Sequence, residues 1–210
     1  TLFEGLRDMM YDARYKMLWK QVSVPQDGSS IRNIIQTFDT IEQLSAVRAI
    51  LEYWRTSNDP EAVSLARAIM QGVWDEGSPL LIQPPEEYPP STYFGLYTAY
   101  DVEREAERLT PTEKTIVQIL LFETVVLLNE HTRGEFRGDV DFLASWLEDN
   151  GPLYRIHANG YYGTYDDDWA DPEQPMVSAK ASIWMSRAIA RDEWYRFQRA
   201  QALTSTRPES

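Results

Sequence analysis

From Ile116 to Leu128 the chain reads IVQILLFETVVLL, and only Gln118, Glu123 and Thr124 interrupt its apolar residues. A helix that is apolar on every side has to be enclosed by other parts of the protein. The motif TPTE just before it marks the start, with Thr110 at the capping position, Pro111 at the first helical position and Glu113 placed to complete a capping box. The run is shorter and more polar than the ~20 apolar residues needed to cross a bilayer, so no transmembrane segment is expected. The pattern predicts a mainly α fold, an irregular bundle of about six to eight helices around a central apolar helix at 111–131, with long surface loops.

The flanking sequence supplies the other helices. Leu6, Met10, Ala13 and Met17 share one helical face, and Ile31, Ile34, Ile35 and Phe38 make a second, shorter stripe. Thr40 and Gln43 offer a cap for a helix carrying Ile41, Leu44, Val47, Leu51 and Trp54. In NDPEAV, Asp59 can cap and Pro60 can take the first helical position of a helix running to about Trp74. DVEREAERL reads as a charged helix after an aromatic patch at Tyr93, Phe94, Tyr97 and Tyr100. A short helix through Val140, Phe142, Leu143, Trp146 and Leu147 stops at NGP. The last helix, from about Val177 to Leu203, is expected to bury Ile183, Ala190, Trp194 and Phe197 and to turn Arg187, Arg191, Arg196 and Arg199 outward. The size fits a single helical domain over 1–210. An internal boundary, if there is one, belongs in the proline-rich segment 78–92, although Leu80, Leu81 and Ile82 there suggest packing against a surface.

Thirty-three acids against twenty basic residues give a formal charge of −13. That balance argues against direct binding to a phosphate backbone and fits a basic or arginine-rich protein partner. With no cysteine, thiolate metal sites and cysteine nucleophiles are excluded. The compartment is not readable, because the chain opens on Thr1 and a removed targeting segment fits the sequence as well as none. Neither a Gly-x-Ser-x-Gly elbow nor a glycine-rich phosphate loop is present.

Two groups of acids invite a metal reading. Glu123 and Glu130 are seven apart on one side of the central helix, with His131 adjacent, but the Glu-x-x-His pairs of a di-iron bundle are missing. Glu123 is better read as a structural acid paired with an arginine, and Glu130 with His131 as a solvated last turn. Asp166, Asp168 and Asp171 supply hard oxygen ligands, yet position five of a helix-loop-helix calcium pattern would be Ala170 and position twelve Val177. No metal or other cofactor is called for.

The segment NGYYGTYDDDWADPEQP, residues 159–175, carries four aromatic rings and five acids. Rigid rings among small polar residues resemble the composition of binding loops. Tyr161, Tyr162, Tyr165 and Trp169 are therefore expected to form a docking surface tuned by Asp166, Asp167, Asp168 and Asp171. The resulting expectation is a non-enzymatic acidic interaction protein, a subunit or adaptor that docks on a larger assembly. The alternatives are a metal-dependent enzyme or calcium-binding module using the acidic loop, and an acidic inhibitor that imitates nucleic acid on a basic partner.

Overall fold

The computed structural model describes residues 2–23, 32–84, 86–89, 93, 95–108, 111–150, 153–155, 162–164 and 179–205. The fold is mainly α, as the periodicity predicts. Its helices are α1 (Leu2–Gly5), α2 (Thr40–Ser57), α3 (Pro60–Trp74), α4 (Pro111–His131), α5 (Arg137–Asn150) and α6 (Ala179–Ser205), with a π-turn at Leu6–Met10. Short antiparallel strands join them, and the chain divides into two compact units, Thr1–Gln118 and Ile119–Ser210. No helix among the described residues is long and apolar enough to cross a membrane.

In the first unit α2 and α3 form the helical layer. Asp59 accepts from the amide of Glu61 at 3.0 Å and Pro60 opens α3, as NDPEAV predicts. At α2 the cap is Asp39, which accepts from the Glu42 amide at 3.2 Å, one residue earlier than expected. Thr40 and Gln43 are buried and serve other partners. Thr40 donates its hydroxyl to the Tyr97 carbonyl at 2.6 Å, and the Gln43 side-chain amide holds both the Leu18 amide (2.8 Å) and carbonyl (2.7 Å).

Three expected helical stretches are strands instead. Tyr11–Asp12 (β1) pairs with Met17–Leu18 (β2), because Asp12 accepts from the amides of Arg14 and Tyr15 and Lys16 takes φ 55°, which closes a turn where a helix would continue. Gln21–Ser23 (β3) pairs with Arg32–Ile35 (β4). Thr37–Asp39 (β5), Ala99–Asp101 (β6) and Ala106–Arg108 (β7) make a three-stranded antiparallel sheet, with Phe38 opposite Tyr100 and Tyr100 opposite Glu107. The helix expected at DVEREAERL is lost to the β6–β7 turn, where Asp101 accepts from the Arg104 amide and Glu105 adopts φ 47°.

The proline-rich segment lies inside this first unit. Leu80 is fully buried, Tyr97 donates its amide to the Leu80 carbonyl at 2.8 Å, and Leu81 bridges to Leu96. Gly95 has φ +108° and faces the Gln118 side chain, which donates to the Leu96 carbonyl and accepts from the Tyr93 hydroxyl at 2.5 Å. Burial pushes the Tyr93 phenol well above the usual tyrosine range.

Helix α4 continues from the first unit into the second. Every residue from Val117 to Asn129 is buried, the enclosure that its apolar run requires. The second unit also holds α5, α6 and a hairpin of Leu153–Arg155 (β8) with Tyr162–Thr164 (β9). On α6 the buried side is Met185, Ala188, Asp192 and Tyr195, while Ile183, Ala190, Trp194 and Phe197 are exposed, the reverse of the expected orientation. Asp192 on the buried side binds Arg137 of α5 at 2.6 Å, while Glu123 binds the half-exposed Arg187 and Glu130 binds Arg191, so α6 meets α4 and α5 through ion pairs as well as through Met185, Ala188 and Tyr195.

Candidate functional site

The side chains expected to carry function fall into three groups. Tyr161, Tyr165, Asp166, Asp167, Asp168, Trp169 and Asp171 lie outside the described residues, and of the rings in that segment only Tyr162 has a described backbone, in β9. Glu123 is 3% exposed, and both of its carboxylate oxygens are engaged by Arg187, at 2.5 Å to Nε and 2.8 Å to Nη2. This hydrogen bond holds the Arg187 guanidinium above its usual pKa. Glu130, expected on a solvated turn, accepts from Arg191 Nε at 2.6 Å. These acids are taken up in ion pairs, and among the described residues no three His, Asp or Glu side chains converge as a metal-binding group.

A different place in the first unit is built as a recess. The β1–β2 turn and the C-terminal end of α3 border an open cleft of about 200 Å³, whose lining includes Arg14, Tyr15, Lys16, Gln71, Asp75 and Glu76 together with Gly72 and Ser78. Gly72 explains how the turn comes so close. A Cβ there would lie 2.4 Å from the Lys16 carbonyl oxygen and 2.7 Å from that of Tyr15, so only glycine lets the turn rest on the helix. Ser78 donates its hydroxyl to the Gly72 carbonyl at 2.6 Å and accepts from the Leu80 amide at 3.2 Å, which fixes the chain as it leaves α3.

The lining is mixed in charge. Lys16 Nζ reaches Gln71 Oε1 at 3.2 Å and Asp75 Oδ2 at 3.5 Å, and both charged side chains are about half exposed. The Arg14 guanidinium stands 5.1 Å from the centre of the Tyr15 ring. Tyr15 in turn packs against Phe38 (5.0 Å) and Trp19 (6.2 Å), and Trp19 stacks on Phe38 at 4.4 Å. Packing against the buried Phe38 and the half-buried Trp19 thus holds the Tyr15 ring in place. With Arg14 and Lys16 beside Asp75 and Glu76, the lining carries both signs of charge and offers both hydrogen-bond donors and acceptors.

Sequence reasoning missed this cleft. The available signals were Asp12 two residues before Arg14, an arrangement that nucleates a turn, and a glycine at position 72 in the middle of an otherwise helical pattern.

No protein-family model and no curated protein matches the chain. Solved structures do. The chain is similar to the cellobiose 2-epimerase of Spirochaeta thermophila DSM 6192 (TM-score 0.59, 19% identity, 90% of this chain and 45% of that one). It is similar also to a sugar epimerase from a ruminal bacterium (0.59, 16%, 95% and 50%) and to the cellobiose 2-epimerase of Bacillus thermoamylovorans B4167 (0.59, 14%, 91% and 48%). The chain spans about half the length of each. At these identities the likeness is one of fold, the helical fold of sugar epimerases. It overturns the expectation of a non-enzymatic acidic subunit or adaptor, together with the calcium-module and nucleic-acid-mimic alternatives. Composition misled here because a net charge of −13 reports on solvation as readily as on a basic partner.

Proposed function

We propose that this chain is part or all of a carbohydrate-active enzyme of the sugar-epimerase kind, and that the cleft between the β1–β2 turn and α3 holds one sugar ring. The observation that carries the reading is the fold shared over 90 to 95% of the chain with three sugar epimerases. The cleft supports it through a lining that offers both hydrogen-bond donors and acceptors. At about 200 Å³ the cleft is a small, open recess of the surface.

The test is direct. The 210-residue chain is titrated with glucose, mannose and cellobiose by isothermal calorimetry and by ¹H–¹⁵N NMR, and cellobiose incubated with it is analysed for inversion at C2 of the reducing sugar. Saturable shifts at the amides of Tyr15, Lys16 and Gln71, lost in Tyr15→Ala and Asp75→Ala, support the assignment of the cleft. Sugar binding that survives both substitutions moves the site elsewhere. Absence of binding and of turnover with every sugar refutes the carbohydrate reading.

A further inference from the structure

The turn between α4 and α5 contains two successive left-handed residues, Arg133 at φ 59° and Gly134 at φ +99°. The Gly134 amide donates to the Asn129 carbonyl at 2.9 Å, and the Gly134 carbonyl accepts from the amide of Arg137, the first residue of α5, at 3.3 Å. A Cβ on Gly134 would stand 3.1 Å from the Tyr195 hydroxyl oxygen and closer still to Arg199 Nη1. Two side chains of α6 therefore bring their donors to one point at the entry of α5.

Neither donor is fully used. Tyr195 is 8% exposed, and its hydroxyl oxygen is shut off from water and has no hydrogen-bond partner. A buried hydroxyl in that state is costly and calls for a partner from outside the chain, whether a water, an ion or a ligand. Arg199 is exposed and makes one hydrogen bond, at 3.3 Å, to the Arg133 carbonyl. Among the described residues no carboxylate pairs with it, whereas the other three arginines of α6 are held by acids: Arg187 by Glu123, Arg191 by Glu130, and Arg196 by Asp141 and Asp192. An unpaired guanidinium stands out in a chain with a formal charge of −13.

Helix α5 adds a third element, because its first turn carries the positive end of the helix dipole. Among the described residues the Gly138 amide has no acceptor, and a Cβ there would meet nothing within 4 Å, so the backbone can be approached closely. Glu135 and Asp139 bring negative charge to the same turn, and both have partners of their own.

We propose that Tyr195, Arg199 and the Gly138 amide form a binding site for an oxyanion, the phosphate or carboxylate group of a small ligand. Its oxygens accept from the Tyr195 hydroxyl and from the guanidinium, which presents parallel N–H groups to such an anion. Arg199, tethered to the Arg133 carbonyl by one long hydrogen bond, turns outward to admit the anion and then closes on it. Every group involved belongs to the second unit, so the site does not depend on the cleft of the first.

Calorimetric titration of the 210-residue chain at constant ionic strength tests the site, with inorganic phosphate, glucose 6-phosphate and glucuronate as probes and chloride as the control. The expected result is saturable binding of at least one oxyanion, with a shift of the Gly138 amide in ¹H–¹⁵N spectra. Arg199→Gln and Tyr195→Phe should each weaken that binding about tenfold or more, the loss of one hydrogen bond to a charged group. Preference between the phosphates and glucuronate names the anionic group, and preference between the two phosphates names its carrier. Tyr195→Phe also separates a ligand contact from a structural one. The hydroxyl has no partner in the free protein, so its removal should leave the urea midpoint without added anion unchanged or raised. Weak, unsaturable binding that both variants retain signifies an adventitious ion only and overturns the proposal. A Tyr195→Phe variant that loses stability yet binds the anion like wild type overturns it too and assigns the hydroxyl to internal water.

Discussion

The Glu123–Arg187 pair allows a prediction worked from geometry. Glu123 is 3% exposed with both oxygens on the guanidinium, while the Arg187 side chain keeps half of its surface in water. Removing one member of a fully buried pair costs about 3 to 5 kcal/mol, because the other charge is left desolvated. The half-exposed arginine lowers that figure, since water can enter where the guanidinium was. Arg187→Met should therefore cost about 2 to 3 kcal/mol, which for a chain of this length shifts the melting midpoint by roughly 4 to 12 °C. Glu123→Gln should cost less, about 1 to 2 kcal/mol, because the amide still accepts one hydrogen bond. The double variant Glu123→Leu with Arg187→Met removes both charges, and its loss should be smaller than that of Arg187→Met alone. Urea denaturation with unchanged slopes measures all three. An Arg187→Met variant within ~0.5 kcal/mol of wild type, or a double variant that loses more than Arg187→Met alone, refutes the reasoning.

Four other outcomes can be checked with the same denaturation assay. Gly72→Ala drives a Cβ into two backbone carbonyls of the β1–β2 turn, so it should cost about 1 to 3 kcal/mol and weaken any ligand bound in the cleft; wild-type stability would show that the turn lifts away freely. Gln43→Leu strips the Leu18 amide and carbonyl of their partner at a cost of about 2 to 4 kcal/mol, and a loss below ~1 kcal/mol would mean that water replaces the amide. Asp59→Ala removes the α3 cap for about 1 kcal/mol, whereas Asp59→Asn should be nearly neutral. Asn129 is buried with neither side-chain amide atom hydrogen-bonded, so Asn129→Leu should be neutral or stabilising, and a loss above ~1 kcal/mol would reveal internal water satisfying the amide.

Where local chemistry and tertiary demands agree, the fold is legible in the sequence. Asp59 before Pro60 starts α3 with no help from the rest of the molecule, and the run from Ile116 to Leu128 has no stable place except a buried helix. The segments at 11–18 and 99–108 were harder. DVEREAERL is rich in helix formers, but the intrinsic preference of such residues is a fraction of a kcal/mol each, and pairing of β6 with both β5 and β7 outweighs it. The cleft was hidden for a related reason. Its walls come from residues 14–16 and 71–79, and nothing short of their spatial meeting at Gly72 distinguishes Lys16, Gln71 and Asp75 from ordinary surface residues.

Helix α6 shows why hydrophobic periodicity can point to the wrong side of a helix. Its stripe of Ile183, Ala190, Trp194 and Phe197 is the more apolar face, and burying it would have gained several kcal/mol of transfer free energy. Turning that face inward would carry the buried Asp192 into solvent and away from Arg137 of α5, its partner at 2.6 Å, and would expose Met185, Ala188 and Tyr195. Packing on that side, together with the Arg137–Asp192 pair, therefore accounts for the rotation of α6 about its axis.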